Sequence, residues 1–315
     1  MAATTPPIEL ASDHLATARD SNLWRDTLRN ILRQRSAIVG LLIFATLILV
    51  AIFADVIAPY NPDLSMLDVP QLGMKARMAP CIHLLGCPAT QPEHLFGLDA
   101  NVRDVFSRVV AASRIDLQIG ILTVGFAIVI GSAFGAITGF LGGWTDTILM
   151  RIMDVLLAFP SLLLAIAIVA TLGPGLLNAQ LAIGIVAIPI YARVMRASVL
   201  SVRENDYVTA SRALGESSLG ILARRIIPNA LTPIIVQGTL GIGGAIVDVA
   251  ALSFLGLGAQ PPTAEWGAMI GIERNSVFAA PHLIVFPGLA IVLTVLAFNL
   301  LGDGLRDALD PRLNR

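Results

Sequence analysis

Long apolar segments recur along the chain, and polar stretches separate them. A helix needs about 20 apolar residues to cross the hydrocarbon core of a bilayer. Six segments reach this length, and we predict them at residues 36–58, 115–140, 148–172, 179–200, 231–257 and 282–301. The pattern therefore predicts an all-α integral membrane protein with six transmembrane helices.

The composition agrees with this prediction. Of the 315 residues, 56% are hydrophobic and 14% are charged, whereas an ordinary soluble domain has about 25% charged residues. The net charge of −1 excludes a nucleic-acid binder that works by bulk electrostatic attraction. The polar tail before the first apolar segment is too long for the n-region of a signal peptide, so we expect the first span to be retained.

The basic residues predict the orientation, because cytoplasmic segments of membrane proteins are enriched in lysine and arginine. With both termini in the cytoplasm, the inner segments contain 15 of the 21 lysines and arginines, and the outer segments contain 6. Both termini are therefore predicted to be cytoplasmic. The resulting organisation is a cytoplasmic tail (1–35), the first span (36–58), an extracytoplasmic loop (59–114), a five-helix core (115–303) with a cytoplasmic loop (201–228), and a cytoplasmic C-terminus (304–315).

The cytoplasmic tail contains apolar residues of its own. They alternate with arginines and are Leu23, Trp24, Leu28, Ile31 and Leu32. This pattern predicts an amphipathic helix that lies on the inner leaflet and contacts lipid. A disordered basic tail is the alternative.

Three glycines repeat every four positions in the second span, at Gly131, Gly135 and Gly139. One face of that helix is therefore nearly bare backbone, which allows close approach of another helix. The other helix belongs either to this subunit or to a second subunit.

Two common catalytic motifs, the P-loop and the HExxH metal motif, are missing from the sequence. A phosphate-binding P-loop needs a lysine after its second glycine, but the only lysine is Lys75, which follows Met74. The sequence has no HExxH metal motif either. We therefore expect no enzyme activity, no metal and no cofactor in this chain.

Acidic residues within membrane spans are candidates for function, because they are costly there without a partner or water. Asp154 and Asp248 are the best candidates. Arg151 lies one turn before Asp154, which favours a local ion pair. Asp248 has no cation in its own helix, so it either lines a water-filled pathway or bonds a partner subunit.

Both cysteines, Cys81 and Cys87, lie in the predicted extracytoplasmic loop. Two nearby thiols outside the cytosol usually oxidise, so we favour a disulfide. A zinc site that also uses His83 and His94 is one alternative, since these are zinc ligands. Free thiols are the other alternative.

The polar stretch DYVTASRALGESSLGILARRIIPNALTP begins at Asp206 and ends at Pro233. Asn205 or Asp206 can cap a first helix, and Gly215 can end it in a left-handed conformation. The residues predicted to share one face of that helix are Tyr207, Ala210, Ser211 and Leu214.

A second short helix is predicted to follow, with Ser217 or Ser218 as its cap and Pro228 as its end. Its apolar stripe is predicted at Leu219, Leu222, Ala223 and Ile226. The stretch would then present two short helices at an angle to the cytosol. A simple linker is the alternative.

These residues resemble the cytoplasmic signature of ABC-importer permease subunits. TASRALG, a nine-residue gap and then RIIP place Ala210, Gly215 and Pro228 at the spacing of that signature. FPSLLLAI, YARVMRASVLSVRENDYV, ALSFLGLGAQPP and EWGAMI resemble the dipeptide/oligopeptide permease C-type branch. Val102 stands where that branch has a glycine, Val249 stands where it often has glutamate, and CIHLLGCPATQP resembles an insertion.

The resemblance implies a type I ABC-importer permease of the bacterial cytoplasmic membrane that imports peptides. It implies as partners a homologous second permease, two ATPase subunits that bind ATP and magnesium, and an extracytoplasmic binding protein. The residues that would contact an ATPase are Tyr207, Thr209, Ala210, Ser211, Arg212, Ala213, Leu214, Gly215, Glu216 and Ser217. Import of nickel chelates, glutathione or other small solutes is an alternative within the family. A stand-alone secondary transporter or channel is an alternative of a different class.

Overall fold

The computed structural model describes residues 34–66 and 74–309. Helices dominate these residues. They are α1 (Arg35–Ile52), α2 (Ala54–Ile57), α3 (Val105–Leu141), α4 (Gly143–Leu157), α5 (Ser161–Leu172), α6 (Leu176–Arg203), α7 (Asp206–Ala213), α8 (Ser218–Phe254), α9 (Trp266–Glu273) and α10 (His282–Leu309). Polar turns and the segment between α2 and α3 connect them.

Helices α1, α3, α6, α8 and α10 are each long and apolar enough to cross a membrane. Helices α4 and α5 supply a sixth span if the pair is counted as one. The predicted all-α class with six spans is therefore confirmed. The amphipathic helix predicted in the tail lies outside the described residues. Helix α10 continues to Leu309, so the described part (304–309) of the segment predicted as a C-terminal tail (304–315) is still helical.

The prediction of one continuous third span at 148–172 is wrong. The chain breaks before Pro160, and α4 and α5 meet at an angle of 92°. Pro160 has an extended ψ of 126°, and proline also disfavours helical geometry at the residue before it. Two other prolines, Pro189 and Pro287, remain inside α6 and α10.

The glycine face of α3 packs against α6 of the same chain. A Cβ atom on Gly131 would lie 2.6 Å from the Ile188 carbonyl oxygen, and one on Gly139 would lie 3.0 Å from that of Arg196. A Cβ atom on Gly135 would meet the backbone of Ala192. The close approach predicted from the glycine repeat is therefore made within this subunit.

The segment between α2 and α3 is organised around the start of α3. Asp104 is the N-cap of α3, and its Oδ2 accepts hydrogen bonds from the Ser107 backbone N–H and hydroxyl, each at 2.7 Å. The Nδ1 of the buried His94 lies 2.9 Å from Asp104 Oδ1. Arg108, one turn further on, donates to the Pro62 carbonyl at 2.8 Å. These contacts attach both halves of the segment to one helix end.

Val102 lies within this segment and has a φ of +57°. A β-branched residue with positive φ is strained by about 1–3 kcal/mol. Its side chain is also fully buried, beside Leu98 and Met66. Glycine is the residue that the C-type resemblance places here, and glycine adopts this conformation readily.

We therefore predict that Val102→Gly is at least as stable as Val102→Ala. Both variants lose most of the buried side chain, but only glycine relieves the backbone strain. In regular secondary structure the opposite is usual, because a glycine variant is about 0.5–1 kcal/mol less stable than the alanine variant. Thermal unfolding of the purified subunit in detergent measures the order.

Val105 provides the control, because it is also buried but begins α3. Val105→Ala should be more stable than Val105→Gly. If the alanine variant is the more stable one at both positions, Val102 is not strained.

Candidate functional site

Helix α7 has well-defined ends. Asn205 precedes it with extended geometry, and Asp206 supplies an acid to the first turn, which the helix dipole favours. At the other end, Gly215 has a φ of +82°. The Gly215 N–H donates to the Arg212 carbonyl and the Glu216 N–H to the Ser211 carbonyl, both at 3.1 Å. This is the glycine termination of helices that the sequence predicts for α7.

One face of α7 has no partner among the described residues. Val208 is the buried residue of this helix. The predicted apolar face points away from the rest of the chain, with Tyr207 43% exposed and Leu214 88% exposed. Ala210 is also exposed and Ser211 is partly buried. The face is present as predicted, and the part of the chain that the structure describes leaves its Tyr207 and Leu214 side chains exposed.

The second helix differs from the prediction in two ways. Ser217 accepts a hydrogen bond from the Gly220 N–H at 3.2 Å and caps it as predicted. The helix does not end at Pro228, however, but runs on to Phe254 through a π-helical stretch at Ile221–Ile226. Pro228 follows directly on this wider turn, at the start of the next helical stretch.

The wider turn also changes which residues are buried. The predicted stripe is half right: Ile226 is buried and Leu222 is partly buried, whereas Leu219 is 78% exposed and Ala223 is exposed. Ile221, which the stripe did not include, is buried with Ile226 five positions further on, and both pack with Val208 of α7. The π-helical geometry brings them to one side of the helix.

Further contacts hold α7 in a fixed position. The Arg225 Nε donates to Glu216 Oε2 at 3.1 Å, which links the turn after α7 to α8. The Arg203 Nη1 donates to the Gly139 carbonyl at 2.9 Å, which links the end of α6 to α3. The exposed apolar face of α7 is therefore held against the start of α8, which is long and apolar enough to cross a membrane.

The predicted ion pair between Arg151 and Asp154 is not formed. Asp154 accepts instead from the Arg193 Nη2 at 2.7 Å. Asp146 is bound by two guanidinium nitrogens of Arg196, each at 2.6 Å. Because α4 lies against α6, Arg193 and Arg196 of α6 reach the two acids of α4. These ion pairs link the two helices.

Asp248 lies half-buried in α8. Within 34–66 and 74–309 no hydrogen bond or ion pair is found for its carboxyl group. Gly244, one turn earlier, has no atom within 4 Å of the position that a Cβ would occupy. This side of α8 is therefore open, and a carboxylate on it requires water or another subunit.

Cys81 and Cys87 form a disulfide in the structure, with their Cα atoms 5.4 Å apart. The two histidines of the zinc alternative have other partners, since His94 contacts Asp104 and His83 Nε2 lies 2.7 Å from the Gln91 carbonyl. Among the described residues, no three His, Cys, Asp or Glu side chains converge as metal ligands do.

We predict that the isolated protein contains this disulfide. Intact-mass measurement after alkylation without reduction should show no alkylated cysteine, and reduction first should expose two thiols. Two alkylated cysteines in the unreduced sample would contradict the prediction.

A buried pair of acids is not among the predicted site residues. Glu265 caps α9, accepting from the Gly267 N–H at 2.9 Å and the Ala268 N–H at 2.7 Å. Asp116 of α3 accepts from the Trp266 N–H at 3.3 Å, so both acids are held at the start of α9. Burial raises the pKa of Glu265. The one feature of the sequence that could have pointed to Asp116 is its position, since it is an acid at the start of the second predicted span.

Two family models match most of the chain. Residues 131–315 match "binding-protein-dependent transport system inner membrane component", and residues 22–80 match "N-terminal TM domain of oligopeptide transport permease C". The resemblance predicted from the sequence is thereby confirmed.

Two named relatives and one solved structure also support membership of this family. The chain is 46% identical to the dipeptide transport system permease protein DppC of Alkalihalophilus pseudofirmus, over 92% of this chain and 90% of the relative. It is 42% identical to the glutathione transport system permease protein GsiD of Pectobacterium atrosepticum, over 95% of each. An inward-facing structure of the MetNI methionine ABC transporter has a similar fold, with a TM-score of 0.53 and 18% identity over 65% of this chain and 98% of that chain. The chain therefore belongs to the family of binding-protein-dependent transport system inner membrane components and is a permease subunit of an ABC importer.

Proposed function

We propose that this permease subunit forms half of the translocation path of an ATP-driven peptide importer. Its partners are a homologous second permease, two ATPase subunits that bind ATP and magnesium, and an extracytoplasmic binding protein. Both termini and α7 lie in the cytoplasm, and the segment between α2 and α3 lies outside. The excess of basic residues in the inner segments supports this orientation.

The single observation that supports coupling best is the open face of α7. Tyr207 and Leu214 are exposed, yet Val208, Ile221 and Ile226 hold the helix against α8. An apolar face of this kind marks an interaction site. ATP can shift the permease between two states only through contacts that differ between those states. A helix that is packed rigidly against the start of a membrane span transmits such a shift.

The names of the relatives support peptides as the class of solute. One is named for dipeptide transport and another for glutathione transport, and glutathione is itself a short peptide. Glutathione import is therefore the second candidate function. Uptake by the reconstituted importer with its binding protein tests both, using labelled dipeptides, oligopeptides and glutathione. Uptake of none of the three would contradict the peptide assignment.

Asp248 is proposed to face the translocation path or the second permease. Asp248→Leu should lower uptake or assembly by about tenfold or more, because a lost hydrogen bond to a charged group is worth about 1.5–3 kcal/mol. Ile235→Leu on the same helix is the control, since that side chain is exposed and stays apolar. Normal assembly together with normal uptake in Asp248→Leu would show that the acid is incidental.

A further inference from the structure

Three large apolar side chains project from one end of the molecule. Leu84 and Leu85 are 94% and 79% exposed, and Phe278 is 98% exposed. The first two lie between α2 and α3, and the third lies between α9 and α10. We call these three residues the apolar anchors. The segments that carry them are joined, because Arg77 Nε donates to Glu273 Oε2 at 2.8 Å.

The loop that carries Leu84 and Leu85 is rigid. The disulfide between Cys81 and Cys87 closes it into a small ring. Cys81 and His94 exchange two backbone hydrogen bonds, each 2.9 Å long, and the His83 N–H donates to Glu93 Oε1 at 2.7 Å. Two leucines held in this way lose little conformational entropy when they are bound.

The base of this loop lies well beyond the membrane end of the first span. Arg114 donates to the carbonyls of Ala51 and Ile52 and pairs with Asp55, at the end of that span. His94, which anchors the loop, contacts Asp104, ten residues before Arg114 on α3. Ten helical residues span about 15 Å. A protein outside the membrane therefore suits Leu84 and Leu85 better than the acyl chains of lipid do, and Phe278 lies on the segment that the Arg77–Glu273 contact joins to theirs.

We propose that the apolar anchors are a docking surface for the extracytoplasmic binding protein of this importer, which would bury them in an apolar depression. This inference rests on the proposed function and adds the contact residues. The family is described as binding-protein-dependent, so a protein must deliver solute to this end. The loop that carries Leu84 and Leu85 lies between the two segments that match the family models (22–80 and 131–315). It therefore suits recognition of this importer's own binding protein.

The test is stimulation of ATP hydrolysis by the loaded binding protein, measured with the whole importer in proteoliposomes. Leu84→Ser combined with Leu85→Ser should raise the half-maximal concentration of binding protein about tenfold and leave the maximal rate unchanged. Leu64→Ser is the control, since Leu64 is 54% exposed on the same side of the membrane and is not an anchor. Its half-maximal concentration should match that of the parent importer.

The outcomes separate the two proposals. An unchanged half-maximal concentration in the double variant, with normal stimulation of the parent, would overturn the docking surface alone. A parent importer that the binding protein does not stimulate would overturn the proposed function. Phe278→Trp tests the membrane as the occupant, because quenching of its added fluorescence by brominated lipid would place the anchors in the bilayer and contradict the proposal.

Discussion

Gly215→Val is expected to leave the subunit folded and inserted, but to abolish ATP-driven uptake. Gly215 has a φ of +82°, and no atom lies within 4 Å of the position that a Cβ would occupy. The new side chain therefore meets no steric clash, and its effect comes from the backbone. A β-branched residue is strained there by about 1–3 kcal/mol. Relief of that strain would turn α7 away from its present angle to α8.

Two variants separate coupling from strain itself. Gly215→Asn should retain uptake, because asparagine tolerates the left-handed conformation. Gly256→Val carries the same strain, since Gly256 also has a φ of +82° and open space, but it lies at the opposite end of α8. It should still co-purify with the ATPase subunits, whereas Gly215→Val should bind them weakly or hydrolyse ATP without uptake. Wild-type uptake by Gly215→Val would mean that the angle of α7 is unimportant.

Gly135→Val is expected to prevent accumulation of the folded subunit. A Cβ atom there would overlap the Ala192 backbone and lie 2.8 Å from the Met195 Cβ atom. Helices α3 and α6 would have to separate along the whole glycine face, at a cost of about 3 kcal/mol or more.

Gly125→Val is the matched control, because Gly125 lies on the same helix with no atom within 4 Å of a Cβ. The measurement is the yield of monodisperse subunit after extraction, with thermal unfolding of any material recovered. Equal yields of the two variants would contradict the close packing of α3 on α6.

Features that depend on neighbouring residues could be predicted from the sequence. The end of α7 at Gly215 follows from glycine alone, because no other residue enters the left-handed region so readily. The cap at Ser217 follows from its hydroxyl and the apolar residues after it. The break at Pro160 could also have been predicted from the proline. The long apolar segment around it instead led to the prediction of one continuous span.

Features that depend on distant residues could not be predicted. Asp154 pairs with Arg193 and not with Arg151 because α4 lies across α6, which no local spacing reveals. The contact between Asp116 and Glu265 joins residues on α3 and at the start of α9. The helix passes Pro228 because a π-helical stretch precedes it, and that stretch is fixed by the packing of Ile221 and Ile226 on Val208.

The most direct test of coupling is a crosslink between this loop and an ATPase subunit. A single cysteine replaces Ala213 or Glu216, and it is the free thiol of the chain because Cys81 and Cys87 are bonded to each other. A cysteine at Leu64, on the opposite side of the membrane, is the control. We expect crosslinks from positions 213 and 216 to a groove on an ATPase subunit, with yields that change when ATP binds, and none from position 64. If neither position crosslinks to an ATPase, with or without ATP, the loop is only a linker and the account of coupling is wrong.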